Sequence, residues 1–358
     1  MTIFYSSRNP NFIFVENAIF KIWDSRTKKN THPTPPPSPQ RSNQRAEFIW
    51  LNVFNLSVYC IMDKYKIRVP SGAPVYPTTD ENWFQFPYVM LSIAKKNSGK
   101  TCSLSQFLHI QHKMDRLDRL ILISPTAHTN AHYFVGLPLA EEDIIEPSIH
   151  SAKQLMDIVE NEAYLFDKYH DDMVEWRRLQ KEIKSHKDIH DIDEDLLLYF
   201  DRMERPKYKY MRGGKPYKPI ISAFFDDCQG TMCYSPSVQN KLPKLVIAHR
   251  HQGAIVHGDK KAIGVNLIFA VQNYTSNSLG IPKSIRGNCN IIAIFKSKNS
   301  QELKLIAEEV AGEVDQITFF KVFEQATSVP YGFLTIDLNP KKTVKSMFRR
   351  NWDEYLYV

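Results

Sequence analysis

From about residue 85 onward the chain alternates short, almost unbroken apolar runs with stretches of helical spacing. The runs cover 89–93, 120–123, 220–225, 264–271 and 290–295. Few polar positions interrupt them, as expected of strands buried on both faces rather than one. Between the second and third runs lies a long charged stretch, roughly 140–205, with helical spacing in segments such as 152–166 and 173–183. It reads as a solvated helical insertion. Further helices are predicted at 300–312 and 317–327, ahead of a final strand at 331–338. Strands alternating with helices define an α/β class with a mainly parallel central sheet flanked by helices.

The beginning of the chain has a different texture. Residues 1–29 are aromatic and mixed without a clear period, and 30–45 (NTHPTPPPSPQRSNQR) are Pro-rich and polar, an extended linker. The most apolar stretch, 48–62, is short for a membrane span and is interrupted by Asn52, Asn55 and Ser57, so no membrane contact is expected. The expected organisation is an N-terminal extension over 1–61, a catalytic domain over 62–340 and a basic, solvated tail over 341–358. A net charge of +7 favours a polyanionic partner. The five cysteines (Cys60, Cys102, Cys228, Cys233, Cys289) show no disulfide rhythm, which points to a reducing, intracellular setting. Cys228 and Cys233 with His249, His251 and His257 match no common zinc spacing.

The chemistry concentrates first in AKKNSGKT, 94–101, between the apolar run VMLSI and a helical CSLSQFLHIQHKM. A tight loop between strand and helix turns its N–H groups inward and sets the helix's positive end beneath phosphates. Lys100 then reaches the β/γ oxygens of ATP, and the Thr101 hydroxyl is a hard ligand for Mg²⁺. Ala94, Asn97, Ser98, Gly99 and Cys102 complete the predicted nucleotide contact. Gly99 allows close backbone approach. Ala94 departs from the standard pattern, which has glycine there; alanine fits if its φ stays negative.

An apolar strand ending in two acids, 220–227 (IISAFFDD), supplies the second half of such a site. Asp226 is assigned to Mg²⁺ and Asp227 to the attacking water, as general base. The run GVNLIFAVQN ends in Gln272, a candidate sensor of the γ-phosphate, with Asn273 the weaker choice. Arg286, in SLGIPKSIRGNCN, is a candidate trans-acting arginine finger, and Arg250 is its competitor.

Loop, DD strand, Gln strand and the segment IPKSIRGN, in that order, resemble the genome-packaging ATPases of virophages and large DNA viruses, within the FtsK–HerA group of P-loop NTPases. The resemblance covers about 80–340. It implies a RecA-like core with one strand inserted between those of the two Walker motifs. It also implies a ring-shaped homo-oligomer around double-stranded DNA, capsid proteins as partners, and a place in the host cytoplasm or viral factory, with virion association in prospect. The residues 205–218 (RPKYKYMRGGKPYK) are candidates for gripping the DNA. Three other readings are a DNA-translocating ATPase of conjugation or chromosome handling, a small-molecule P-loop kinase, and a non-enzymatic capsid-associated DNA-binding protein.

Overall fold

The computed structural model describes 83–357, apart from 187–191, 203, 259–260, 276–279, 311–313 and 342–345, together with three short strands near the N-terminus. The chain divides into two compact units, Met1–Lys66 and Ile67–Val358. In the first, β1 (Ile3–Tyr5), β2 (Phe12–Val15) and β3 (Ala18–Lys21) form an antiparallel sheet where no period was evident. The Pro-rich and apolar stretches at 30–45 and 48–62 lie outside the described residues.

The second unit is built on a nine-stranded sheet. Its elements in chain order begin with β4 (Val89–Ile93), α1 (Lys100–Lys113), β5 (Arg119–Ile123), β6 (Ile144–Ile145) and α2 (Ser151–Ser185). There follow α3 (Glu194–Arg202), the hairpin β7 (Met211–Arg212) and β8 (Lys215–Pro216), β9 (Ile221–Asp226) and α4 (Leu242–Ala248). The last group is β10 (Val265–Val271), α5 (Lys283–Arg286), β11 (Ile291–Phe295), α6 (Ser300–Val310), α7 (Gln316–Ala326), β12 (Phe333–Asp337), β13 (Phe348–Arg350) and β14 (Glu354–Leu356).

The order across the sheet is β14-β13-β12-β11-β4-β10-β9-β5-β6. From β11 to β6 every pairing is parallel, and β12 to β14 extend the sheet antiparallel. The strand after the phosphate-loop candidate's partner acids, β10, lies between β4 and β9, as the resemblance implied.

Both faces of the parallel strands are covered, which explains their unbroken apolar sequences. Val89, Leu91 and Ile93 of β4 join Ile221, Ala223 and Phe225 of β9 in a core beneath α2, α4, α6 and α7. Met90 and Phe224 face the opposite core, where α1 contributes Leu104, Phe107 and Leu108. The alternation of side chains along a strand makes this division unavoidable.

Two expectations are corrected. The charged stretch is helical but not a wholly solvated appendage: it holds a 35-residue helix, α2, and the shorter α3. The first half of α2 buries Ala152, Leu155 and Val159 in the main core. The described part of the tail is not a wholly solvated end either. Phe348, Trp352 and Leu356 are buried, and Arg349, at 1% exposure, pairs with Asp337 at 3.3 Å.

Candidate active site

The loop between β4 and α1 is shaped by its backbone. Ala94 is buried, donates its N–H to the Val271 carbonyl at 3.0 Å, and is not among the residues at positive φ. Its methyl therefore costs nothing at a position where glycine is usual. Asn97 (φ 62°) and Gly99 (φ 85°) are left-handed, and Ser98 folds back through its hydroxyl and N–H onto the Lys95 carbonyl, at 2.6 and 3.3 Å. Such turns gather N–H groups around a concavity suited to an anion. Gly99 is the N-cap of α1 and offers no capping side chain. The helix's first N–H groups thus remain available to a ligand.

Sheet register brings the acids to this loop. Asp226 pairs with Ala270, and Ala270 with Ser92, so β9 ends level with the carboxyl end of β4. The Lys100 ammonium lies 2.7 Å from an oxygen of Asp227 and 4.0 Å from one of Asp226. The Thr101 hydroxyl stands 3.4 Å from both Asp226 oxygens. Asp227 itself is left-handed at φ 51°, an uncommon geometry that turns its carboxylate from the strand line toward the loop.

Asp226 is 1% exposed. Burial pushes its carboxyl up to about 6; the Lys100 charge and the Thr101 hydrogen bond oppose this, and the Asp227 charge adds to it. A buried carboxylate with one long hydroxyl contact and a lysine at 4.0 Å is under-compensated. With the Thr101 hydroxyl it forms a hard oxygen donor pair, which fits Mg²⁺.

A cleft of about 470 Å³ is lined by the loop residues from Ala94 to Cys102 and by Thr126, Asn130, Tyr133, Asp227 and Gln272. All predicted nucleotide contacts line this cleft, together with Gln272 at the end of β10. Asn273 is engaged by the Lys95 ammonium. Sequence reasoning missed Gln229. Its side-chain oxygen accepts from the N–H groups of Gln272 (2.7 Å) and Asn273 (3.2 Å), while its amide donates to the Asn273 carbonyl at 2.9 Å. It ties the turn after Asp227 to the turn after β10. Thr126, Asn130 and Tyr133 were missed too. Their position after the carboxyl end of β5 was the available signal, since ligands of open α/β sheets bind at that edge.

The arginines stand apart. Arg286 is 10% exposed, donates to the carbonyls of Tyr274 (3.3 Å) and Ile281 (3.4 Å), and lies 3.6 Å from Glu309 and 4.7 Å from the Tyr274 ring centre. It braces its own chain and does not line the cleft. A role in a neighbouring site would require it to leave these partners. Arg250 is exposed, in the turn His249–His251 before β10, at the sheet edge opposite the cleft.

Inserted strand, left-handed loop and convergent lysine and carboxylates give the chain a mixed α/β fold of the RecA-like P-loop type. Neither any protein-family model nor any curated protein matches the sequence. Among solved structures, the genome packaging NTPase B204 from Sulfolobus turreted icosahedral virus 2, in complex with ATP-gammaS, is similar at 13% identity and TM-score 0.38, over 75% of this chain and 98% of that one. The pCW3 conjugation coupling protein TcpA with ATPgS shows 13% identity and TM-score 0.38, over 77% and 62%. EssC (ATPases 2 and 3) from Geobacillus thermodenitrificans shows 15% identity and TM-score 0.34, over 76% and 40%.

Proposed function

We propose that the protein hydrolyses ATP with Mg²⁺ at this cleft and uses the cycle to drive double-stranded DNA into a viral capsid. The convergence of Lys100 and Thr101 with Asp226 and Asp227 carries the reading. In this account the loop N–H groups hold the phosphates, and Lys100 exchanges its ion pair with Asp227 for the β/γ oxygens. Asp226 and Thr101 hold Mg²⁺, which when bound neutralises charge developing on the phosphates. Asp227, freed from Lys100, accepts a proton from the attacking water, and Gln272 orients that water or senses the γ-phosphate. The packaging destination rests on the motif order, including IPKSIRGN. The homo-oligomeric ring and the capsid partner belong to the same proposal.

The DNA-facing element in this account is the hairpin β7–β8. Arg205, Lys207, Lys209, Arg212 and Lys215 are exposed around it. Its base is pinned: Tyr217 donates to Asp118 at 2.6 Å, and the Ile220 N–H donates to the same carboxylate at 2.7 Å. Arg212 stacks over the Tyr217 ring, 4.6 Å from its centre. A basic hairpin held at its base suits phosphate contact without base reading. It lies at the amino end of β9, whose carboxyl end bears Asp226, so one strand joins the grip to the catalytic edge.

Phosphate release with and without long duplex DNA tests this. DNA is expected to stimulate turnover, and R212A/K215A should abolish the stimulation while basal turnover remains. Raising salt from about 50 to about 200 mM should weaken DNA binding steeply. Turnover indifferent to DNA, with phosphoryl transfer to a nucleoside or nucleotide acceptor, would establish the kinase reading in its place.

A further inference from the structure

Tyr331 occupies an unusual position that the site described above does not use. It precedes β12, has φ 59°, and leaves its side chain 73% exposed. Its ring lies against the phosphate loop: a Cβ built on Gly99 would meet the Tyr331 Cδ1 at 3.3 Å. The next residue permits this course. A Cβ on Gly332 would fall 2.6 Å from the Ala326 carbonyl oxygen, so the backbone turns through a space that admits only glycine. A large aromatic residue in a left-handed conformation, exposed beside a ligand loop, is a costly arrangement, and such outliers cluster at ligand clamps.

The sheet order says which part of a nucleotide would meet it. β4 has β10 on one side and β11 on the other. Asp226, Asp227 and Gln272 stand at the ends of β9 and β10, so the metal and the γ-phosphate belong to that side. The phosphate chain must then lead the sugar and base away from it, toward β11 and β12. Phe333 pairs with Phe295, which places the start of β12 at the carboxyl end of β11, level with the cleft. Tyr331 stands two residues before that point. Tyr133, the aromatic residue lining the cleft, follows β5 and lies on the γ-phosphate side.

We infer that the Tyr331 ring is the stacking platform for the nucleobase of the bound nucleoside triphosphate. The inference rests on the nucleotide reading given under the proposed function and adds the subsite for the base. Stacking uses the π-face common to all bases, so the platform selects for an aromatic base rather than for one set of hydrogen-bonding groups.

Calorimetric titration with Mg·ATP and with Mg·tripolyphosphate, which carries the phosphates without the nucleoside, tests this. Tyr331→Gly keeps the left-handed backbone without strain, and Tyr331→Phe keeps the ring. The expected result is a loss of ATP affinity of about 5- to 100-fold in Y331G. Y331F should bind ATP like wild type, and tripolyphosphate should bind equally to all three proteins. Unchanged ATP affinity in Y331G overturns the inference, and so does an equal loss for ATP and tripolyphosphate, which would mean that the ring supports the loop alone. A loss in Tyr133→Ala with none in Y331G would move the base to the other wall and overturn it as well. Wild-type protein that binds neither ligand would instead bring down the nucleotide reading itself.

Discussion

Asp226 must be charged to hold a metal, yet it sits where charge is least solvated. Its pKa is raised from 3.8 to about 6, chiefly by burial. Between these values the folded chain keeps a proton that the unfolded chain gives up. Asp226 therefore favours folding fully below the unfolded value, and that contribution is lost as pH rises through about 6. Metal binding has the opposite dependence, because Mg²⁺ competes with the proton. Mg²⁺-dependent nucleotide affinity should fall by up to about tenfold for each pH unit below the Asp226 pKa, as titrations across this range would show. Asp226→Asn should remove that dependence along with most of the affinity. Lys100, Thr101 and both acids were legible in the sequence because loop and strand end carry fixed residue types at fixed places. Gln229 was not. Its task is to bridge two turns that sequence reading treats separately, and a glutamine in a turn has no distinguishing neighbours.

Among the elements, the buried parallel strands were readable because two covered faces leave no polar positions. Helix α2 was read as separate segments because charged residues around Asp171 and Asp172 break the apolar period. They carry no glycine or proline, however, and the helix runs through them. The tail was misread for a different reason. Its arginines suggested solvent, but Arg349 lies 4.1 Å from the Phe84 ring centre and 4.7 Å from that of Tyr355, and pairs with Asp337. A buried, ion-paired arginine looks the same in sequence as a solvated one. Trp352 shows what the tail does. Its ring centre lies 4.7 Å from those of Phe107 and Phe333, and its indole donates to the Ser103 carbonyl at 3.2 Å in the first turn of α1. Trp352→Ala should cost about 3–5 kcal/mol in chemical denaturation. It should also weaken nucleotide binding, because the helix under the phosphates loses its prop.

For the whole molecule, strand order was the least legible property. Asn266 on β10 accepts from the Tyr88 N–H across 178 residues of sequence, and no periodicity reports such a pairing. The inserted strand was expected only through resemblance. Its consequence is that Gln272, the proposed sensor, stands at the end of the strand between phosphate loop and acids. Arg286 was legible as a motif residue but not in its setting, since the Glu309 that engages it lies on a distant helix.

The central claim is that Lys100 and the β9 carboxylates act on one phosphate–metal unit. Phosphate release from ATP by purified wild-type protein, Lys100→Ala, Asp226→Asn and Asp227→Asn, with melting measured in parallel, tests it most directly. Each variant should lose at least about 100-fold in turnover while remaining folded, in line with loss of groups acting on the transferring phosphoryl. Turnover that persists in folded Lys100→Ala or Asp226→Asn would contradict the account, because hydrolysis would then be taking place without the residues that define the site.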